Sequence, residues 1–521
     1  MIEESSRGAD PGADSGSASG PHSTAHSTAH STAHAADKVA TESDAQFAEL
    51  FRRFLTQVVH RAPASGSVRT PLGDRISRHL GVDARTLAMV EESFAPHRIA
   101  DLDAGFAALG VAERALGAAE GELIGVSGGQ QKRFVGLPDL IVSDAIAFAE
   151  APVDYVSADV GPGEQRNVVA FGVRLLTVDG APVAVLQRAA DPQHGRVQAS
   201  VEVLAAEQST SSTLIDRLRS AMNEHSVLRG QVISFSESSF DYGNGTLTFL
   251  PRPVVLAESI VLPPGALDRV RSHVIGIREH AQRIREGGGH LKRGVLLYGP
   301  PGTGKTLTVS HLISEAAGIT TVVLTGQAIR FISEATQLAR AMQPSMVVLE
   351  DVDLIAGDRE MFGGPQPLLF AVLDALDGFE GDADVAFVLT TNRVDLLERA
   401  LVERPGRVDL AVEIPRPDRD ARRRLFALYT ARAPFSPAAV AAVADESEGV
   451  TGSFAKELVR RALLRAATAD RAVDDADLFA VSHELRHDRE SLTRRLVGGA
   501  PSPDDAEDLE RQSSEPGPSL P

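Results

Sequence analysis

The sequence predicts an α/β module, a parallel sheet flanked by helices and followed by a small helical subdomain. An α+β N-terminal domain precedes it, and both termini are expected to be disordered. Three observations predict this. Residues 299–306 read Gly-Pro-Pro-Gly-Thr-Gly-Lys-Thr, a glycine-rich turn between an apolar run and a helical one. Two further apolar runs, 346–349 and 385–389, each end in polar residues. From Asp418 onward the apolar spacing is helical.

Taken in chain order, residues 1–43 are rich in Ser, Gly, Ala and His and hold few large apolar residues. Such a segment cannot offset its ordering entropy. It carries a tetrapeptide repeat that places His22, His26, His30 and His34 four apart. This is read as repeat expansion in a tail, with a metal site on one helix face as the alternative. Residues 44–250 read as an α+β domain, with or without a separate helical lead over 44–115. Helical spacing covers 45–60, 71–80 and 84–94, with Gly81 as a stop. Weak strands are expected at 122–126 and 133–135. Asp179-Gly180 lies between apolar runs 167–178 and 181–188, the signature of a hairpin. A strand at 196–204, a helix at 209–224 and strands at 229–235 and 246–250 complete the domain. No catalytic constellation is visible in it: His60, His97 and His194 are scattered.

After a stiff connector at 251–255, the core of the module begins. Residues 294–298 (Gly-Val-Leu-Leu-Tyr) suit a buried parallel strand, and 307–317 suit a helix closed by Gly318. The octet between them fits the phosphate-binding pattern Gly-x-x-x-x-Gly-Lys-Ser/Thr. Gly299, Pro300, Pro301, Gly302, Thr303 and Gly304 form the loop, and Leu307 follows it. Its backbone N–H groups cradle phosphates, Lys305 reaches the β- and γ-phosphates, and the Thr306 hydroxyl binds Mg²⁺. Four signals follow. The strand 346–349 ends in Glu350 and Asp351, where one carboxylate can hold Mg²⁺ and the other polarise a water. The strand 385–389 runs into Thr390, Thr391 and Asn392, and Asn392 can bond the γ-phosphate or the attacking water. Arg404 and Arg407 flank a tight turn. Residues 450–454 (Val-Thr-Gly-Ser-Phe) open a helix.

With these five signals in this order, residues 255–490 resemble the AAA family of ATPases. The module is similar to the Rieske-translocase-like and the FtsH/valosin-containing-protein-like groups of that family. The resemblance implies a large ATPase subdomain over 255–415 and a helical lid over 416–490. It implies ATP and Mg²⁺ as ligands, Thr306 and Glu350 at the metal, and Asn392 as a first sensor. It implies that Arg404 and Arg407 reach the nucleotide of a neighbouring subunit, hence a homo-oligomeric ring, usually of six. It also implies that the N-terminal domain chooses a protein client or adaptor. The activity implied is ATP hydrolysis coupled to remodelling, disassembly or translocation of a protein. The alternative is a slow or non-hydrolysing nucleotide-gated scaffold.

Three departures from the family pattern bear on that choice. The usual Asp-Glu strand end is here Glu350-Asp351, as in the Rieske-translocase group. No aromatic-hydrophobic-Gly tripeptide occurs in 325–331, and Phe331 reads as a core residue. No Arg opens the 451–467 helix, and Lys456 reads as a solvated side chain.

Composition excludes other classes. A net charge of −19 disfavours nucleic-acid binding and a DNA-translocating motor. Zero Cys removes disulfides and thiol chemistry. No run approaches 18 apolar residues, so no integral membrane anchor is expected, and the cytoplasm is the expected site. Residues 497–521 read as a second, acidic, disordered tail.

Overall fold

The computed structural model describes residues 68–115, 121–236, 246–353, 383–393 and 408–496. The expected helix at 45–60, the histidine repeat, both tails, Arg404 and Arg407 lie outside the described residues. From Arg69 onward the chain forms one unit, and its described strands build two sheets.

The first sheet contains β1 (Met89–Phe94), β2 (Glu122–Val126), β3 (Glu150–Ala151), β4 (Asp154–Gly161), β5 (Glu164–Val178), β6 (Ala181–Arg188) and β7 (Ala199–Ala205). Its order is β1-β7-β6-β5-β2-β3, with β4 also on β5, and every pairing is antiparallel. The β5–β6 hairpin turns at Asp179 (φ 49°) and Gly180 (φ 82°), the two positive φ values that a tight hairpin of this twist requires. Helix α1 (Pro71–Leu80) starts on the Thr70 cap and stops at Gly81. It covers one face through Leu72, Ile76 and Leu80, against Val173 and Leu186. Helices α2 (Ile99–Ala115) and α3 (Gln208–Glu224) cover the other face through Leu102, Phe106, Leu214 and Leu218.

Two expectations are corrected here. Residues 84–94 give a short 3₁₀ turn, Ala84–Thr86, followed by β1. Burial along β1 alternates with period two, Val90, Glu92 and Phe94 being less exposed than their neighbours, and pairing along β7 overrides the helical reading. Residues 133–135 are not a strand. They close the 3₁₀ turn Gly129–Phe134, whose Lys132 Nζ donates to the Val126 carbonyl at 2.7 Å.

The second sheet contains β8 (Val232–Ser236), β9 (Thr246–Leu250), β10 (Arg293–Tyr298), β11 (Thr320–Thr325), β12 (Ser345–Glu350), β13 (Val385–Thr391) and β14 (Leu410–Glu413). The order is β14-β10-β13-β12-β11-β8-β9, parallel except for the β8–β9 hairpin. Strands β8 and β9 were expected to finish the N-terminal domain, but they extend this sheet instead. The reason is burial on both faces: Ile233 and Phe235 join Val322, Leu324 and Phe331 in one core, and Val232 joins the core on the opposite face. Phe331 is 5% exposed and its ring lies 5.8 Å from that of Phe235, so it is a core residue as read.

Helices α4 (Lys305–Glu315) and α5 (Ile332–Ala341) pack on opposite faces of this sheet. The lid contains α6 (Arg419–Thr430), α7 (Pro437–Glu446), α8 (Gly452–Thr468) and α9 (Asp475–Leu496). Phe426, Val443, Leu458 and Leu478 form its own core. Asp418 and Ser436 cap α6 and α7, satisfying N–H groups that a helix start leaves open. No helix among the described residues is long and apolar enough to cross a membrane.

Candidate active site

Strand β10 ends at Tyr298 and α4 begins at Lys305, so the glycine-rich loop joins the sheet's C-terminal edge to a helix N-terminus. Open N–H groups and the helix dipole there favour an anion. Two glycines are required by the geometry. A Cβ on Gly299 (φ 147°) would lie 2.2 Å from the Ile414 carbonyl oxygen. A Cβ on Gly302 (φ 77°) would lie 2.9 Å from the Ser453 hydroxyl of α8. The loop therefore touches β14's end and the lid through bare backbone. Ser453 N–H donates to the Gly302 carbonyl at 3.2 Å, which ties lid to loop.

Lys305 is buried, and its ammonium donates to the carbonyls of Gly299 (2.8 Å) and Pro300 (3.0 Å) and to Asn392 Oδ1 (2.7 Å). Burial lowers its pKa, while the charges of Asp351 and Asp353 act in the opposite direction. The ammonium thus stands among the groups named from sequence. The Thr306 hydroxyl lies close enough to the Glu350 carboxyl to affect its titration, so the two expected metal-binding side chains are neighbours. Burial first, then the charge of Asp351, raises the Glu350 pKa, and Thr306 acts in the opposite direction.

The ends of β12 and β13 are laced together. Asp351 has φ 53°, and its N–H donates to Thr390 Oγ1 at 2.9 Å. Val352 N–H donates to the Thr390 carbonyl at 3.0 Å. Asn392 Nδ2 stands 3.4 Å from Asp351 Oδ1 and 3.4 Å from Asp353 Oδ2. Asp353 Oδ1 accepts from Thr391 Oγ1 (3.0 Å) and from the Asn392 N–H (2.9 Å).

These groups open onto a cleft of about 490 Å³. Residues 301–307, Asp351 and Asn392 form one wall, and residues 259–262 form another. Leu425, Tyr429, Gly452, Ser453 and Lys456 close it from the lid. Gly299 and Pro300 are not in the lining; they act through the carbonyls that hold Lys305. Lys456, read as a solvated helix lysine, is exposed but stands at the cleft. Sequence reasoning missed Leu425 and Tyr429, whose places depend on how the lid folds back. It named Asp353 only as a substitute for Asp351 as the catalytic carboxylate, and its contacts to Thr391 and Asn392 went unread.

The donor set fits Mg²⁺. Among the described residues no group of three or more His, Asp or Glu side chains could hold a metal. Thr306 and Glu350 offer one hydroxyl and one carboxylate, and Mg²⁺ is commonly held by one or two such oxygen ligands together with waters and substrate phosphates.

Fold and site together define a phosphate-loop nucleotide-binding module. Residues 295–416 match the model of the ATPase family associated with various cellular activities (AAA). The chain is 31% identical over 258 residues to a proteasome-activating nucleotidase of Pyrococcus horikoshii, 47% of this chain and 64% of that one. It is 30% identical over 314 residues to the proteasome-activating nucleotidase of Methanospirillum hungatei, 55% of this chain and 73% of that one. It is 36% identical over 200 residues to the ATP-dependent zinc metalloprotease YME1 homolog of Caenorhabditis elegans, 36% of this chain and 27% of that one. The chain belongs to the AAA family. It spans just under two thirds of the Pyrococcus relative and about a quarter of the nematode one.

Proposed function

We propose that this chain is a ring-forming, Mg²⁺-dependent ATPase that couples hydrolysis to remodelling, disassembly or translocation of a protein client. The observation that carries the reading is the convergence of Lys305, Asn392 and Asp351 at one end of the sheet, facing a cleft closed by the lid. Gly302, Thr303 and Gly304 present backbone N–H groups to the phosphates of ATP. Lys305 leaves its carbonyl partners for the β- and γ-phosphates. Thr306 and Glu350 would hold Mg²⁺, which would neutralise charge on the phosphates. Asp351 accepts a proton from the attacking water, and Asn392 orients that water or the γ-phosphate. Arg404 and Arg407 are the fingers of the adjacent subunit, of a kind that raises hydrolysis by roughly 10³–10⁵-fold.

The protein client rests on kinship. The relatives are named as proteasome-activating nucleotidases and as a metalloprotease. The N-terminal sheet is the part of this chain left to choose a client or adaptor. On the same kinship we place the protein in the cytoplasm, as a homohexamer. Turnover of ATP measured with particle mass across a range of chain concentrations tests the reading. Turnover that rises steeply as rings form supports it. Rings that bind ATP and scarcely hydrolyse it would replace it with the nucleotide-gated scaffold.

A further inference from the structure

We propose that Asp353 is a positioning residue: it fixes the side-chain amide of Asn392, so that Asn392 meets Lys305 and Asp351 in one orientation only. The inference rests on the ATPase reading above and gives it a residue that the phosphate-loop pattern does not name.

An asparagine amide has a donor end and an acceptor end, and an unheld one turns freely between them. Here both ends are set. Asn392 Oδ1 accepts from the Lys305 ammonium at 2.7 Å, and Nδ2 faces the carboxylates of Asp351 and Asp353 at 3.4 Å each. Asp353 also holds the backbone beneath that amide, accepting the Asn392 N–H at 2.9 Å and the Thr391 hydroxyl at 3.0 Å. Charge-assisted bonds to a carboxylate are among the stronger ones available. The result is a chain of contacts from Asp353 to Asn392 to Lys305.

The same contacts separate the roles of two carboxylates that sit two residues apart. Asp353 is occupied by the Thr391 hydroxyl, the Asn392 N–H and the Asn392 amide, and it does not line the cleft. Asp351 does line the cleft, and its contact with Asn392 is a single one at 3.4 Å. Asp353 therefore acts through Asn392, and Asp351 is the carboxylate free to meet a water.

The test uses the full chain, its steady-state ATP turnover and its equilibrium affinity for a fluorescent ATP analogue. Asp353→Asn keeps the shape but turns acceptors into an amide that cannot serve all three donors. It is expected to lower kcat by roughly 10- to 100-fold, the scale of a small misplacement at a reacting centre. Affinity for the analogue is expected to change by less than about threefold, because uniform binding is not what is lost. Residues that act as a unit are non-additive, so Asp353→Asn with Asn392→Ala should be no slower than Asn392→Ala alone. If Asp353→Asn does not fold, Thr391→Val removes one donor at nearly constant volume. It should give a smaller loss that also vanishes in the Asn392→Ala background. Wild-type turnover unchanged by Asp353→Asn, or losses that multiply in the double variant, would overturn this inference alone. A wild-type chain without turnover would overturn the ATPase reading and this inference with it.

Discussion

Asp351 carries the sharpest consequence at the scale of a residue. It adopts φ 53°, a left-handed backbone that aspartate tolerates better than most side chains. The bend lets its N–H meet Thr390 Oγ1, while Glu350 stays beside Thr306. In the proposed reading the reversed Glu-Asp order keeps both jobs: Glu350 would serve the metal beside Thr306, and Asp351 lines the cleft. Asp351→Asn should leave nucleotide affinity within about threefold of wild type and lower turnover by about 10²-fold or more, the scale of general-base catalysis. Paired binding and turnover assays check this. Unchanged turnover would move the role to another carboxylate. The loop residues were legible from sequence because backbone geometry dictates them: only glycine fits at Gly299 and Gly302. The contacts of Asp353 were not legible, because they form only where the end of β13 arrives beside β12.

At the scale of elements, the joint between the two sheets is the finding that sequence periodicity could not supply. Strands β8 and β9 were recognisable as strands, yet nothing in a period-two pattern names a strand's partner. Strand β8 pairs with β11 and β9 with β8, so the chain passes from the first sheet through α3 into the edge of the second. Side chains reinforce the joint. Asp101 at the start of α2 accepts from Ser226 Oγ and from the Val227 N–H, both at 2.9 Å. The Arg252 guanidinium donates to the carbonyls of Gly230, Ile319 and Ile313. His97 stacks edge-on against Phe235 of β8, with ring centres 6.1 Å apart. Burial, and then the charge of Arg98, lowers its pKa to about 4. The unfolded chain protonates a histidine near 6.5. Between those values the unfolded state binds the extra proton, so this contribution to stability is complete above about pH 6.5 and is lost as pH falls toward 4. Denaturant midpoints at several pH values should fall over that window, and His97→Phe should flatten the fall. Parallel curves for the two proteins would remove His97 from the account.

For the whole molecule, the second sheet places the candidate catalytic groups at one edge, and the lid closes over them through Ser453 and Gly302. The lid helices were legible because their apolar faces repeat at helical spacing and their caps are explicit at Asp418 and Ser436. The order of strands was not legible from composition or spacing, and Arg404 and Arg407 lie outside the described residues. The role proposed for them is a matter of assembly. Arg407→Ala should lose turnover by roughly 10³-fold or more, the scale of an arginine finger. Mixed with Asp351→Asn chains it should regain part of it, because each chain supplies what the other lacks. No regain on mixing would argue that each site is complete within one chain.

The account's central claim is that the cleft between the 299–306 loop, Asp351 and the lid is where ATP binds and is hydrolysed. Binding of a fluorescent ATP analogue and turnover of ATP by Lys305→Ala, beside wild type, test that claim most directly. Lys305 is the buried ammonium that bonds both the loop and Asn392. The account predicts that Lys305→Ala loses at least about tenfold in affinity, a contact of 1.4 kcal/mol or more, and all measurable turnover. Wild-type affinity and turnover in Lys305→Ala would contradict it and place the nucleotide elsewhere.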